Sequence, residues 1–591
     1  MNRNHRFPRT GLKVFLSSLI LLLVLTPALN ASFVAAQLNT SREDQLLKTA
    51  LDYVEKNRKG TGEIRFIDEI TGKPVSGTGV QHQQITHDFM FSTHFWGDPD
   101  RMRWLGLEWS GDVWLSWSEI QPTSGVYDYN KPDGTISWLK QKQVHVWARF
   151  TSLLFDWNHL ESPRPPSFAD FDHIDDPVVF ARYKDLVYEF VFNVAAHYKG
   201  TISAYMTQIE INWPGHVVDT GFSKRPLWTI QQAVELNKIV SKAIRDADPN
   251  ATIILGTSTT WQGPSANDVD PMQFTKLCLA SGVDVDVVAL EAYPFDGSPA
   301  FFYDYVKKLA KLGKPVFINE TGYPSAKPDA DESWVRSWKW HVFNEHVQAL
   351  WFRYVIMLAL GMKEVTGVSI LFIRDADPTS LYSTSMTHVF DTMGLYTVTW
   401  QPKESAKMLR ELMVNFTTSG TTRTDINGTI AVRGFAGNYT VRVSGYEPVT
   451  IHISEGTTED LTVSLSREKT SEYNDAAKAV ESASVALSAL RSRDLKTQEA
   501  KNLTEAAAIE YELAAASLDR WDLDAAQTHA GLSQQLANQA FQAEALYQQQ
   551  QDYLKFSAVL VAMVLIVAVI AVSLVKSRTA PKTRKEDAAA S

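Results

Sequence analysis

The chain has 591 residues, 45% hydrophobic and 11% aromatic, with 17 Trp, 20 Tyr and 28 Phe beside 30 Gly and 24 Pro. That composition excludes a disordered or collagen-like chain. Residues 37–575 carry 48 basic against 65 acidic side chains, which argues against nucleic acid or an anionic membrane surface as the main partner. A single cysteine, Cys278, excludes an intrachain disulfide framework, so the fold rests on core packing, for which the length suffices.

Arg3, Arg6, Arg9 and Lys13 precede the apolar run Val14–Ala28, and Val34-Ala35-Ala36 offers small residues for cleavage. Residues 1–36 therefore read as a secretory signal peptide, with Gln37 the mature start. At the other end, Phe556–Val575 is a stretch of twenty residues without a charge, followed by Lys576, Arg578, Lys582, Arg584 and Lys585. It reads as a transmembrane helix over 555–576 with a cytoplasmic tail at 577–591. The expectation is a single-pass protein at the cell surface with its bulk outside. Sequons at Asn39, Asn250, Asn415, Asn427, Asn438 and Asn502 agree with export.

Between these segments, 37–101 holds a helix at 38–59, with Leu46, Leu47, Leu51 and Val54 at helical spacing. Short strands follow at 62–92 around the turn Thr71-Gly72-Lys73-Pro74. From about 103 to 413, strands alternate with helices. The strands are Val113–Ile120, Val144–Thr151, Thr201–Asn212, Ala251–Thr259, Val285–Phe295, Pro315–Tyr323 and Val365–Ile373, with a first one near Met102–Trp109. The helices include Val178–His197, Ile230–Ala247, Phe301–Leu312 and Trp334–Leu360. Eight such strands predict a (β/α)8 TIM barrel over 102–414. The rival doubly wound sheet lacks a Gly-rich phosphate loop after any early strand. Alternating β pattern at 415–466 predicts a small β module. The Ala-rich stretch at 467–554, with breaks near Arg491–Asp494 and Asp519–Asp522, predicts a stalk of two or three packed helices. Self-association through that stalk is allowed by this reading.

In such a barrel the reactive side chains project from the C-terminal ends of the strands. The fourth strand runs into Glu210 and the seventh into Glu320. A carboxylate buried at a strand end costs several kcal/mol unless it is paired or has a task. Two carboxyls in one cleft, one protonated and one ionised, are what glycosidic cleavage requires. The bland alternative is a pair of rim salt bridges. No Cys/His cluster, carboxylate loop or Gly-Xaa-Ser-Xaa-Gly elbow is present in the sequence, so no metal or cofactor is expected.

The chain resembles clan A glycoside hydrolases, and most closely family 10, the endo-β-1,4-xylanases. Three features carry the likeness: the segment Tyr198–Glu210, the string Met393-Gly-Leu-Tyr with Gln401-Pro-Lys-Glu-Ser-Ala, and the flanking β segments, one of which contains Val432-Arg-Gly-Phe-Ala-Gly-Asn-Tyr. Val287–Phe295 and Glu320-Thr-Gly-Tyr-Pro are more similar to family 53. The resemblance implies Glu210 as acid/base and Glu320 as nucleophile of a retaining enzyme, with carboxyls about 5–5.5 Å apart. It implies a xylan-like polysaccharide substrate. The clan usually carries Asn before the acid/base, to hold the sugar 2-hydroxyl; here the residue is Ile209, and Gln208 and Asn212 are the candidate substitutes.

In the third strand, His145 is either a sugar contact or a buried strand histidine, and Arg149 is the better group to steady a carboxylate. Tyr293 is placed to hydrogen-bond the nucleophile. Glu291 reads as a structural third carboxylate, and Asp375 and Asp377 as loop residues. Of Trp104, Trp109, Trp114, Trp117, Trp147, Trp157, Trp213 and Trp261 near strand ends, Trp213 and Trp261 are the candidate sugar platforms. A non-catalytic carbohydrate-binding surface protein on a degenerate barrel is the alternative function, and a transglycosylase a third.

Overall fold

The computed structural model describes residues 42–69, 71–95, 97–155, 164–215, 223–260, 268–327, 342–377, 390–466, 471–519 and 522–578. The signal peptide expected at 1–36 lies outside that range together with residues 37–41, and of the expected cytoplasmic tail Ser577 and Arg578 alone lie within it. The chain divides into two compact units, 1–467 and 468–591.

Among the described residues of the first unit, fifteen strands, β1 to β15 in chain order, form a closed barrel and two flanking sheets. The barrel strands are β3 (Met90–Phe95), β4 (Trp109–Ser116), β5 (His145–Thr151), β6 (Ala204–Met206), β7 (Thr252–Leu255), β8 (Val287–Ala292), β9 (Val316–Thr321) and β10 (Val365–Phe372). They pair in parallel, and β10 closes onto β3. Helices such as Pro177–His197, Ile230–Ala247 and Glu345–Leu360 cover the outside. Strands buried on both faces need no polar alternation, and every residue of β8 and β9 is buried.

The expected (β/α)8 barrel is therefore present, with one correction. Its first strand is Met90–Phe95, not 102–109. Pro99–Leu105 is a helix whose N-cap, Asp98, accepts a hydrogen bond from the Arg101 amide, with Pro99 at the start. Such a cap and proline are start signals for a helix, and the apolar Met102, Trp104 and Leu105 form its buried face.

The flanking strands come from both ends of this unit. β1 (Lys59–Asp68) lies between β12 (Thr429–Phe435) and β15 (Thr458–Leu465). β2 (Gly79–Gln84) lies between β11 (Ser419–Arg423) and β13 (Gly437–Val443), with β14 (Val449–Ile453) beyond. Ile64, Phe66, Val80, Ile430, Val432, Tyr439 and Ile453 share one core between the two sheets. Residues 59–84 and 419–465 are thus one sandwich rather than two modules. The N-terminal helix, Arg42–Asn57, leads to Arg58, whose guanidinium donates to the carbonyls of Leu360, Met362 and Val365.

In the second unit, helices Ser471–Arg491 and Gln498–Asp519 pack with a third, Leu523–Arg578, through small-residue faces including Ala476, Ala483, Ala514 and Ala530. The third helix runs without a break into the apolar run, and among the described residues it is the one helix long and apolar enough to cross a membrane.

Candidate active site

Two β-bulges decide what faces the barrel interior. On β9, Phe317 pairs with Ala289 and Ile318 with Leu290, but Glu320 pairs with Glu291. The extra residue, Asn319, also appears in the pairing to β10, where Ile318 opposes Val368 and Thr321 opposes Ile370. Phe317 lies in the barrel core with Trp147 and Ala289. Strict alternation would aim Glu320 outward; one inserted residue turns it back to the same inner face. On β4 the step from Ser110 to Val113 matches a step from Val146 to Ala148, so Trp109 and Trp114 share the face of β5 that carries Trp147 and Arg149. Gly111 lies inside this bulge because a Cβ there would meet the Trp147 ring at 2.2 Å.

The bulge brings Glu320 against three strands. Tyr293 Oη donates to its Oε2 at 2.6 Å, and His94 Nε2 lies 2.9 Å from its Oε1. Behind His94, Arg149 Nη1 lies 3.2 Å from Nδ1, and its Nη2 donates to the Gly111 carbonyl at 3.1 Å. The guanidinium also stacks over Trp114, 4.2 Å from the ring centroid. A guanidinium only donates, so Nδ1 must accept and the ring proton belongs on Nε2, aimed at Glu320. Burial, with the Arg149 charge adding to it, pushes His94 down to about 4, so the imidazole is neutral at pH 7. Burial by itself would push the Glu320 carboxyl up. His94, Tyr293 and the Arg149 charge outweigh it and pull Glu320 below its ordinary value. The result is a buried, ionised carboxylate held in one orientation.

Glu210 stands differently. β6 ends at Met206, and four residues later Glu210 takes φ +60° in a turn, half-buried. A non-glycine residue there costs about 1–2 kcal/mol. Its turn is braced on both sides. Gln208 Oε1 accepts from the amides of Leu153 and Leu154, each at 2.9 Å, and its Nε2 donates to Phe155 O. Asn212 Oδ1 accepts from Ser258 N at 3.0 Å, while Nδ2 donates to Ser258 Oγ and Val269 O. Gly256 lets β7 approach closely, since a Cβ there would meet Gln208 O at 2.3 Å.

Several of the expected sugar contacts are thus placed elsewhere or otherwise engaged. The amides of Gln208 and Asn212 serve backbone atoms and the Ser258 hydroxyl. Ile209 packs with Trp147, Met206 and Ile254 in the barrel core. His145 is neither at the site nor buried: it opens β5 at the opposite, N-terminal end, exposed and tilted against Trp109 with ring centroids 4.9 Å apart. Arg149 reaches the carboxylate through His94. Trp213 is buried beside the Glu210 turn, its amide donating to Glu210 O. Trp261 and Trp157 lie outside the described residues. Asp375 is a loop residue but a buried one, paired with Lys403 at 2.6 Å.

His94 is not among the residues that the sequence singles out, because there Met90–Phe95 belongs with the flanking strands. The signal was there: Met90, Ser92 and His94 alternate along one face, and Ser92 Oγ accepts from Trp147 Nε1.

Searches with family models and against curated proteins return no match. Among solved structures, the chain is similar to an exo-β-1,4-mannosidase from Opitutaceae bacterium strain TAV5, at 15% identity and TM-score 0.40, covering 59% of this chain and 61% of that one. It is also similar to xylanase B from Clostridium stercorarium F9, at 17% identity and TM-score 0.40, covering 55% and 96%. A thermostable xylanase mutant from Cellvibrio japonicus matches at 16% identity and TM-score 0.42, covering 55% and 98%.

Proposed function

We propose that this chain is a retaining glycoside hydrolase acting on a β-linked extracellular polysaccharide, with xylan-like polymers the first class to test. The observation that carries the reading is Glu320: a buried carboxylate kept ionised by a phenol and a neutral imidazole, at the C-terminal end of barrel strand seven. In this reading Glu320 attacks the anomeric carbon as nucleophile. Glu210, half-exposed on a strained turn, gives its proton to the leaving oxygen and then takes one from water, which hydrolyses the glycosyl ester. Strain of that kind on a non-glycine residue is a mark of function. No metal or cofactor enters the mechanism. The apolar helix with basic residues behind it supports a membrane anchor with the barrel outside.

The test is reducing-sugar release from xylans, β-glucans, galactans and mannans by the full chain in detergent, beside Glu320→Gln and Glu210→Gln. Glu320→Gln should abolish turnover, and Glu210→Gln should lower it about 10²–10⁴-fold. NMR of the first product should show the β-anomer. Binding without release, unchanged in Glu320→Gln, would leave a carbohydrate-binding surface protein instead.

A further inference from the structure

A groove also lies at the end of the barrel opposite Glu320, where the start of β5 meets the sandwich. It encloses about 460 Å³, within the range of small-molecule clefts, about 300–1,000 Å³. The barrel side supplies Arg103, Lys140, Gln143 and His145, and the sandwich side Thr86 and Thr450. Among the described residues no carboxylate lines it, although the chain carries 48 basic against 65 acidic side chains over 37–575. Arg103 Nη1 donates to the Gln143 carbonyl at 2.6 Å. Gln143 takes φ +56° just after the helix Asn130–Gln141, a position where glycine is usual. Lys142 is paired with Asp100 at 3.1 Å, whereas Lys140 has no ion-pair partner among the described residues. Thr86 Oγ1 accepts from Asn438 N at 3.2 Å and from Asn438 Nδ2 at 2.8 Å. A hydroxyl that accepts twice has its own proton left to give, so Thr86 joins the two cations as a donor. His145 adds an exposed ring, backed by the half-buried Trp109.

Two cations by themselves would suit any anion. Here they stand beside an exposed ring and hydroxyl donors, and that combination suits a charged sugar. We propose that this groove is a second glycan site, binding a uronic-acid unit of an acidic polysaccharide. The sugar carboxylate lies against Arg103 and Lys140, its hydroxyls meet Thr86 and Thr450, and its apolar face covers His145. Guanidinium and ammonium groups are the strong partners of a carboxylate. Because the groove is open to solvent, each such pair is weak and sensitive to salt. Its use is to hold one stretch of a long polymer while the cleft at the other end of the barrel works on another. Holding a chain at two places raises its avidity without any new contact in the cleft. That use rests on the glycosidase reading; the uronate site does not.

The experiment is equilibrium binding to the full chain in detergent, carrying Glu320→Gln so that no polymer is consumed. Glucuronate-substituted xylan, polygalacturonate and unsubstituted xylan are titrated, with free glucuronate and inorganic phosphate as competitors. The two uronate polymers should bind about tenfold more tightly than unsubstituted xylan, and that excess should shrink as salt rises. Adding Lys140→Glu should remove most of the excess, because one attraction becomes a repulsion. Adding His145→Ala should weaken uronate binding while leaving its salt dependence in place. Both side chains are exposed, so an unchanged melt confirms the fold of each variant. Equal affinity for charged and neutral polymers, or an excess that survives Lys140→Glu, would overturn the proposal. Phosphate displacing the polymers as well as glucuronate does would show an anion site without sugar recognition, and would overturn it too. With Glu320 intact, Lys140→Glu should slow turnover of a uronate-bearing polymer and leave that of a short neutral oligosaccharide unchanged; an equal fall in both would overturn the holding role. A chain with no turnover on any glycan would sink the proposed function, while the uronate preference would stand by itself.

Discussion

Glu210 and Glu320, whose charges both act on Glu291, are positioned by opposite physical routes. Glu320 is locked by its neighbours, and the Tyr293 phenol provides a charge-assisted hydrogen bond, worth about 1.5–3 kcal/mol. Tyr293→Phe should therefore lower kcat/KM about 10- to 100-fold. It should also shift the acidic limb upward. In the proposed mechanism Glu320 works as the carboxylate, its form is lost as pH falls through a value held below the ordinary range, and removing a donor to that form raises the value. A pH–rate profile with an unmoved acidic limb would contradict the assignment. Glu210 is locked by its backbone. Glu210→Gly relieves the left-handed strain at φ +60°, so it should raise stability by up to about 1 kcal/mol while lowering turnover about 10²–10⁴-fold, as Glu210→Gln does. Urea melts of the two proteins check it, and a less stable glycine variant would show that the turn is not strained.

At the scale of elements, the bulges matter more than the strands they interrupt. Asn319 adds one residue to β9 and so turns Glu320 inward; neither amide atom of its side chain has a partner among the described residues. A backbone feature, rather than packing of that side chain, is what the position supplies. A second device ties together the segments that follow β9 and β10. Lys403, at the head of helix Glu404–Phe416, donates to Asp375 Oδ1 after β10, to Ser325 Oγ after β9 and to Thr392 O. Burial pushes Asp375 up to about 6 even with Lys403 beside it. Lys403→Met would leave that carboxyl buried without its cation, and the expected loss is about 3–5 kcal/mol. Denaturant unfolding measures it; a loss below about 1 kcal/mol would mean that Asp375 simply becomes neutral.

At the scale of the first compact unit, the chain ends meet. Because β1 pairs with both β12 and β15, and β2 with both β11 and β13, the strands before the barrel have no sheet without those after it. Deleting residues 415–466 would expose Ile64, Phe66 and Val80 and leave β1 and β2 unpaired on both edges, four edges in all. Such a deletion should lower the melting temperature of the barrel unit and promote aggregation. An unchanged melt would show the sandwich to be dispensable.

Much of this was legible in the sequence. Alternation of strands and helices sufficed for the barrel, because hydrophobic period is a local property and parallel strands buried on both faces announce themselves as apolar runs. The stalk breaks at Arg491–Asp494 and Asp519–Asp522 match the observed helix ends. Glu210, Glu320 and Tyr293 stood out because a polar group ending an apolar run is conspicuous. What stayed hidden depends on register and on partners remote in sequence. His94 could not be separated from the flanking strands until β3 was seen to pair with β10. Nor could a sequence say that Gln208 and Asn212 serve backbone amides 46 to 55 positions away, or that a one-residue bulge would turn Glu320 inward. The chain determined which carboxyls are present and at which strand ends. Only the closed barrel decided which of them face one another, because side-chain direction is set by pairing and pairing is non-local.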